Sequence, residues 1–427
     1  VTDGDVEATG AVDVEAAALT VVRTLRERGH QALWAGGSVR DRLLGRRAND
    51  IDVATDAPPQ AVQEAFRRTT AAGAHFGVII VTLSPRPGCR VDVEVATFRV
   101  DEKYTDGRRP ESVRFATAEE DARRRDFTIN GMFYDPVQDE VHDFVGGRED
   151  LVRGVVRAIG DADARFLEDR LRILRAPRFA AALGFRLDPT TAQAGRVHAP
   201  EVPTCVSPER VHGELQRILT PATRARGLWL CDEIGVLEHV LPEARVDLPR
   251  ALRALAALPA DAEVDAAWAV ALHLAGPSAA EGALTRLRAS NQQRERVRAT
   301  LEALALAPTL CERTVAEQKR FFRRAEVRAL LSCVLRATAI AGDGDLEVYR
   351  YLRARWRAFS ADPSPASPDA PLLLNGRDLQ AAGQRPGKHF GPLLAAVEDA
   401  QLEGRVTTKD QALAMGLAEA ARATPPT

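Results

Sequence analysis

Asp50 and Asp52 stand two residues apart in Asp50-Ile51-Asp52-Val53, thirteen residues beyond the second glycine of a Gly36-Gly37 pair. In a strand, that spacing turns both carboxylates to one face and both apolar side chains to the other. Acids so close repel, which is tolerable on a solvated edge or around a divalent cation. Taken alone, such a pair reads most simply as a solvated strand face. The glycine pair shifts that balance. In Gly36-Gly37-Ser38-Val39-Arg40-Asp41 the glycines leave backbone N–H groups open to an anion, and Arg40 adds a fork of donors suited to phosphate. A triphosphate held there would come within reach of a cation on the two aspartates. A third acid would complete a site for two ions. Asp92 and Glu94 alternate onto one face of an expected strand, and Glu94 is the favoured one.

These residues need a scaffold. Residues 31–35, 50–55, 75–83 and 89–98 are short, β-branched runs bounded by Gly, Pro, Asn or Ser, the pattern of strands. Helices are expected at 14–28, 38–44 and 58–68, so the fold class is α+β with a mixed domain over 1–150. Beyond residue 160, Ala, Leu and Arg recur at helical spacing and the chain should be all helical. A run rich in Pro, Ser and Asp at 359–371 reads as a linker to a module over 372–427.

Of the 427 residues 45% are apolar and 28% charged, a globular composition. Acids in the first thirty residues and the lack of an eighteen-residue apolar run lead us to expect a cytoplasmic protein without a membrane partner. The formal net charge of −2 argues against non-specific coating of nucleic acid, so any phosphate binding must come from local patches. Five scattered cysteines, with no zinc spacing, are expected to be reduced and buried.

The string GGSVRDRLLGRRANDIDVAT (36–55) resembles the signature of the class II tRNA nucleotidyltransferase and bacterial poly(A) polymerase family, within the polymerase β superfamily. The resemblance continues through TFRVDEKYTDGRRPESVRF (97–115), RRDFTINGMFYDP (124–136), DFVGGREDL (143–151), EDRLRILRAPRF (168–179) and SPERVHGELQRIL (207–219). It implies a nucleotidyltransferase head over 1–150, a neck over 151–220, a body over 221–358 and a tail over 372–427, all helical after the head. It also implies two magnesium ions on Asp50 and Asp52, and nucleotide phosphates at Gly37 and Arg40. Arg125 and Asp126 would lie by the incoming nucleotide, Asp126 near its ribose. Asp169 and Arg172 would select the base, supported by Arg175 and Arg178. A carboxylate beside a guanidinium suits cytosine and adenine, which pair an amino donor with a ring acceptor, and rejects uracil and guanine. Asp169 and Arg172 are expected on one helix, where i,i+3 spacing taken alone reads as a plain surface pair, and the neighbouring motifs overturn that reading. Pro177 should kink the chain before Arg178.

Residues 74–81 (AHFGVIIV) look like those of a CCA-adding enzyme, and the intact loop 98–115, expected to be mobile, sets the chain apart from relatives that add only the two cytidines. The expected substrates are CTP, ATP and the 3′ end of tRNA, with no protein partner implied. An enzyme adding only the terminal A, a poly(A) polymerase and a non-catalytic RNA-binding protein are the alternatives. A basic helix face carrying Arg350, Arg353 and Arg357 suits phosphate tracking or simple solvation.

Overall fold

The computed structural model describes residues 3–48, 50–73, 77–104, 110–323, 325–342 and 346–423. They form two compact units, residues 1–218 with 226–240, and 219–225 with 241–427.

The first unit opens with α1 (Asp3–Glu27), β1 (Ala32–Ala35), α2 (Gly37–Leu43), β2 (Asp52–Thr55), α3 (Pro59–Ala65), β3 (Thr69–Gly73), β4 (Val78–Leu83) and β5 (Val91–Thr97). There follow β6 (Arg99–Tyr104), β7 (Pro110–Phe115), α4 (Ala118–Arg123), β8 (Met132–Asp135), β9 (Glu140–Asp143) and α5 (Gly147–Arg153). Seven strands make one mixed sheet in the order β3-β4-β5-β2-β1-β8-β9. Ala17, Ala18, Val21, Val22 and Leu25 recur at helical spacing along α1 and are all buried, which places that helix against β1, β2 and β5. Leu33, Ala35, Ala54, Phe98, Ala118, Ala122 and Phe133 form a core cluster under the site.

The four strands expected from sequence are present in shortened form; Asp50 lies just ahead of β2, and residues 74–76 fall outside the described residues. The segment 98–115, expected as a loop, is instead an antiparallel ribbon with Arg99 opposite Phe115 and Tyr104 opposite Pro110. Residues 105–109 at its tip lie outside the described residues, so the expected mobility is untouched.

Helical packing follows with α6 (Ala162–Glu168), α7 (Arg172–Leu183), α8 (Pro189–His198), α9 (Val202–Cys205) and α10 (Pro208–Leu219). Pro177 sits inside α7 without ending it. The missing N–H leaves the Ile173 carbonyl without its helical donor, but Ile173, Leu174, Ala176 and Ala180 are buried on either side and hold the helix through it.

The second unit is helical from Leu248–Ala257 to Lys409–Ala423. One of its cores gathers Leu331, Leu335, Leu352 and Phe359, another Leu379, Leu393, Val397 and Ala412. The stretch read as a linker is non-helical from residue 361 but firmly held: Gln401 donates to the Pro365 and Pro371 carbonyls, and Arg323 donates to those of Pro368 and Ala370. All five cysteines are unpaired; Cys231 alone is fully buried and Cys311 is exposed, so the expected burial holds only in part. Among the described residues no helix is long and apolar enough to cross a membrane.

Candidate active site

The register of β1 against β2 sets Ala35 opposite Asp52, so the glycine pair that ends β1 emerges beside that carboxylate. Gly36 has a φ of 71°, and a Cβ there would lie 3.1 Å from Arg125 Nη1. Both facts favour glycine. A Cβ on Gly37 would meet only Arg40 Nη2, at an ordinary 3.6 Å. The backbone therefore constrains Gly36 more than Gly37, the glycine singled out from sequence.

Asp50 and Asp52 alternate with buried Ile51 and Val53, and both acids are exposed. β2 runs parallel to β5 with Val53 opposite Val95, which brings Glu94 alongside Asp52. Asp92 is engaged elsewhere, accepting the Thr82 hydroxyl at 2.5 Å. Asp52 opens to solvent through the cleft mouth, yet protein surrounds much of it. That enclosure, then the charges of Glu94 and Asp50, push its pKa from the ordinary 3.8 up to about 6, against the opposing pull of Arg125. An acid held in this way fits a cation that would relieve the repulsion. Among the described residues no three potential ligands already form a cage.

Gly36, Gly37, Arg40, Asp52, Arg125, Asp126, Asp169, Arg172 and Arg175 all line one cavity of about 550 Å³, together with Arg99, Arg124, Asn130 and Phe179. Six arginines face three aspartates there, so the cavity is locally basic although the chain is slightly acidic. Arg40 is held by both oxygens of Asp41 at 2.9 Å and by Asn130 Oδ1 at 2.8 Å. Buried Asp121 fixes two neighbours, accepting from Arg124 Nε at 2.9 Å and from Arg125 Nη2 at 3.0 Å. Burial alone would raise the Asp121 carboxyl, but the charges of Arg125 and Arg124 outweigh it and hold the group below its usual range.

Asp169 and Arg172 both reach the cavity but do not share a helix, and their side chains take other partners, although the Arg172 N–H donates to the Asp169 carbonyl at 3.1 Å. Asp169 has extended backbone between α6 and α7, and its Oδ1 accepts the Leu171 N–H in a local turn that starts α7. Its Oδ2 takes Arg210 on α10 at 2.7 Å. Arg172 donates to Glu168 Oε2 at 2.7 Å and to the Arg124 carbonyl at 3.2 Å. The surface-pair reading therefore fails, because the chain breaks its helix between the two residues. Arg178 does not line the cavity; it forms an ion pair with Glu214 at 2.8 Å. Its guanidinium also stacks 4.3 Å from the Phe179 ring centroid, a ring that Arg40 and Arg175 approach at 5.4 and 5.5 Å. Each contact of this kind is worth about 0.5–2 kcal/mol.

Sequence reasoning had assigned no role to Arg99, Arg124, Asn130 or Phe179. All four lie within the quoted strings, but no periodicity or charge pattern separates them from neighbours that merely pack. Adjacent carboxylates beside a glycine turn, at the mouth of an arginine-lined cavity of nucleotide size, are the equipment of a nucleotidyltransferase. Residues 32–157 match the model of the Poly A polymerase head domain, and residues 262–416 match that of tRNA nucleotidyltransferase domain 2. The CCA-adding enzyme of Geobacillus stearothermophilus is 33% identical over 94% of this chain and 96% of its own length. That of Latilactobacillus sakei is 34% identical over 90% and 92%. The crystal structure of the Bacillus stearothermophilus CCA-adding enzyme in complex with CTP superposes with a TM-score of 0.76 at 28% identity, covering 96% of this chain and 98% of that one. The chain belongs to the tRNA nucleotidyltransferase and poly(A) polymerase family.

Proposed function

We infer that this protein adds C and A, from CTP and ATP, to the 3′ end of tRNA, releasing pyrophosphate at each step. The observation that carries this reading is the single cavity joining the glycine turn, Asp52 and the Asp169–Arg172 set, in a chain alike over nearly its whole length to CCA-adding enzymes. Gly36, Gly37 and Arg40 receive the triphosphate. Asp50 and Asp52 would hold magnesium, with Glu94 as the third acid. When bound, the ions would draw negative charge from the α-phosphate and lower the pKa of the attacking 3′-hydroxyl. Arg125, which sits over the Phe133 ring 4.9 Å from its centroid, would meet the incoming nucleotide. Asp169 and Arg172 present an acceptor and a donor to the base, so an amino group beside a ring acceptor is taken and a carbonyl beside an N–H is refused. Asp126 holds Arg175, and the helical tail over 372–427 would bind the tRNA. Cytoplasmic residence fits such a substrate.

The test is magnesium-dependent incorporation of labelled CTP and ATP into tRNA lacking its CCA end. Incorporation of both in order supports the reading. Incorporation of A alone, onto tRNA already ending in CC, would make this an A-adding enzyme. Activity with neither nucleotide would overturn it.

A further inference from the structure

Three helices of the second unit, Val315–Arg323, Ala325–Ala341 and Glu347–Ser360, leave a hollow of about 70 Å³ between them. Phe321 and Phe322 form one wall, Tyr349 and Trp356 another, and the exposed Ser332 and Arg353 mark its mouth. Aromatic residues are only 5% of the chain, so four around one hollow are a concentration. Phe322 is buried and ties the hollow to the core, with its ring centroid 5.4 Å from that of Trp356 and 6.1 Å from that of Phe359. Tyr349 and Trp356 are only partly buried, so both keep ring surface that the core beneath them does not cover. The Tyr349 hydroxyl already accepts from Arg353 Nη1 at 3.3 Å. A ligand here would therefore be held by ring faces more than by directed hydrogen bonds.

The charge beside the hollow is of one sign. Arg350, Arg353 and Arg357 are exposed and follow one another at i, i+3 and i+7 along Glu347–Ser360. Among the described residues none of them meets a carboxylate. On the first of the three helices, by contrast, Arg320 pairs with Asp399 and Arg323 with Glu398. Like charges at these spacings repel along a helix, so the row weakens its own element and suits an external anion. Arg350 and Arg357 lie two turns apart, about 10 Å along the axis, with Arg353 between them at the hollow. A second copy docked about a two-fold axis would set the same arginines face to face, and an apolar peptide would bury them without partners. A strand of phosphates carrying flat rings supplies both missing halves.

We propose that this hollow takes one unstacked base of an RNA strand, laid against Tyr349 and Trp356, while Arg350, Arg353 and Arg357 hold the phosphates on either side. The proposal rests on the tRNA reading above for the identity of the strand, and adds a contact outside the tail over 372–427. A cavity of roughly 150 Å³ holds a benzene ring, so this smaller one admits only the edge of a base and leaves sugar and phosphates outside. With so few directed donors and acceptors, the site tells a base from no base and does not select among the four.

The test is equilibrium binding of oligoadenylate, and of an abasic strand of the same length, to the full chain at fixed salt. The parent should bind oligoadenylate about tenfold more tightly, and Trp356→Ala should remove most of that difference. Leu331→Phe, which adds bulk at the buried floor of the hollow, should do the same. Arg350→Gln combined with Arg357→Gln should weaken both strands alike and flatten the salt dependence. With tRNA lacking its CCA end, Trp356→Ala should raise the KM for tRNA about tenfold and leave the KM for CTP as it was. If the alanine variant does not fold, Trp356→Leu keeps apolar volume while removing the ring, and should act alike. Equal affinity of the parent for both strands would overturn the proposal, as would an oligoadenylate preference unchanged in these variants. So would self-association of the parent that the variants abolish with no change in RNA binding, which would give the hollow to a second copy. An oligoadenylate preference lost in the variants, in a protein that transfers neither nucleotide to tRNA, would count against the tRNA reading and still support the hollow.

Discussion

Asp52 is partly enclosed by protein and faced by Glu94 and Asp50, and its raised pKa of about 6 has a definite sign in stability. A folded-state pKa above the unfolded value favours the protonated form, so its contribution is fully present below about pH 4 and is lost as pH rises through about 6. For a wholly enclosed acid such a rise would correspond to about 3 kcal/mol; solvent in the cleft screens it to on the order of 1 kcal/mol. Asp52→Asn should therefore abolish nucleotide addition and, with divalent cations chelated, unfold at higher urea than the parent at pH 7. The difference should vanish near pH 4. A variant less stable at neutral pH would remove the account of the acidic pair. Base choice is argued from Asp169. Asp169→Ala removes the acceptor that repels the uracil carbonyl and frees Arg210, so UTP should gain on CTP by roughly tenfold or more in kcat/KM while overall turnover falls. An unchanged CTP-to-UTP ratio would place base selection elsewhere.

The ribbon of β6 and β7 joins the cavity at its base, where Arg99 lies. The Arg99 carbonyl accepts from Arg124 Nε at 2.9 Å, so movement of the ribbon would be felt by an arginine of the site. Replacing residues 101–109 by a short turn should spare addition of the two cytidines and stop addition of the terminal A, read from product length on a gel. Equal loss of both steps would argue that the ribbon serves structure alone. The break between α6 and α7 is another device of this kind. By leaving the helix at Asp169 and resuming it at Arg172, the chain gives one acid and one arginine independent partners, Arg210 and Glu168, and still turns both to one cavity.

Within the second unit, Gln401 is 1% exposed and satisfies three backbone groups, the N–H of Leu373 and the carbonyls of Pro365 and Pro371. A proline- and serine-rich stretch cannot supply ladder hydrogen bonds of its own, so one buried amide fastens it. Gln401→Ala should lower the unfolding free energy of that unit by about 2–4 kcal/mol, because buried backbone groups lose their partners. Urea titration followed by hydrogen exchange would report the loss at 362–374, and CTP binding in the first unit should be unchanged. A stability equal to the parent's would mean that water replaces the amide.

Sequence alone determined the local chemistry: an acid pair alternating with apolar residues, a glycine turn before a helix, and a switch from strand to helical periodicity past the mixed domain. Such features depend on spacing along a few residues, and spacing survives in the chain itself. Contacts between distant elements left no such trace. The choice of Glu94 over Asp92 depends on the register of β2 against β5, the demand for glycine at 36 on the distant Arg125, and the aim of Arg178 on Glu214. The ribbon at 99–115 escaped notice because its strands are polar, and the helix break at Asp169 because acids and arginines continue through it at helical spacing. Only tertiary structure decided these points, since a hydrogen-bonding group has many partners open to it in sequence and is committed to particular ones when the backbone brings them within about 3 Å.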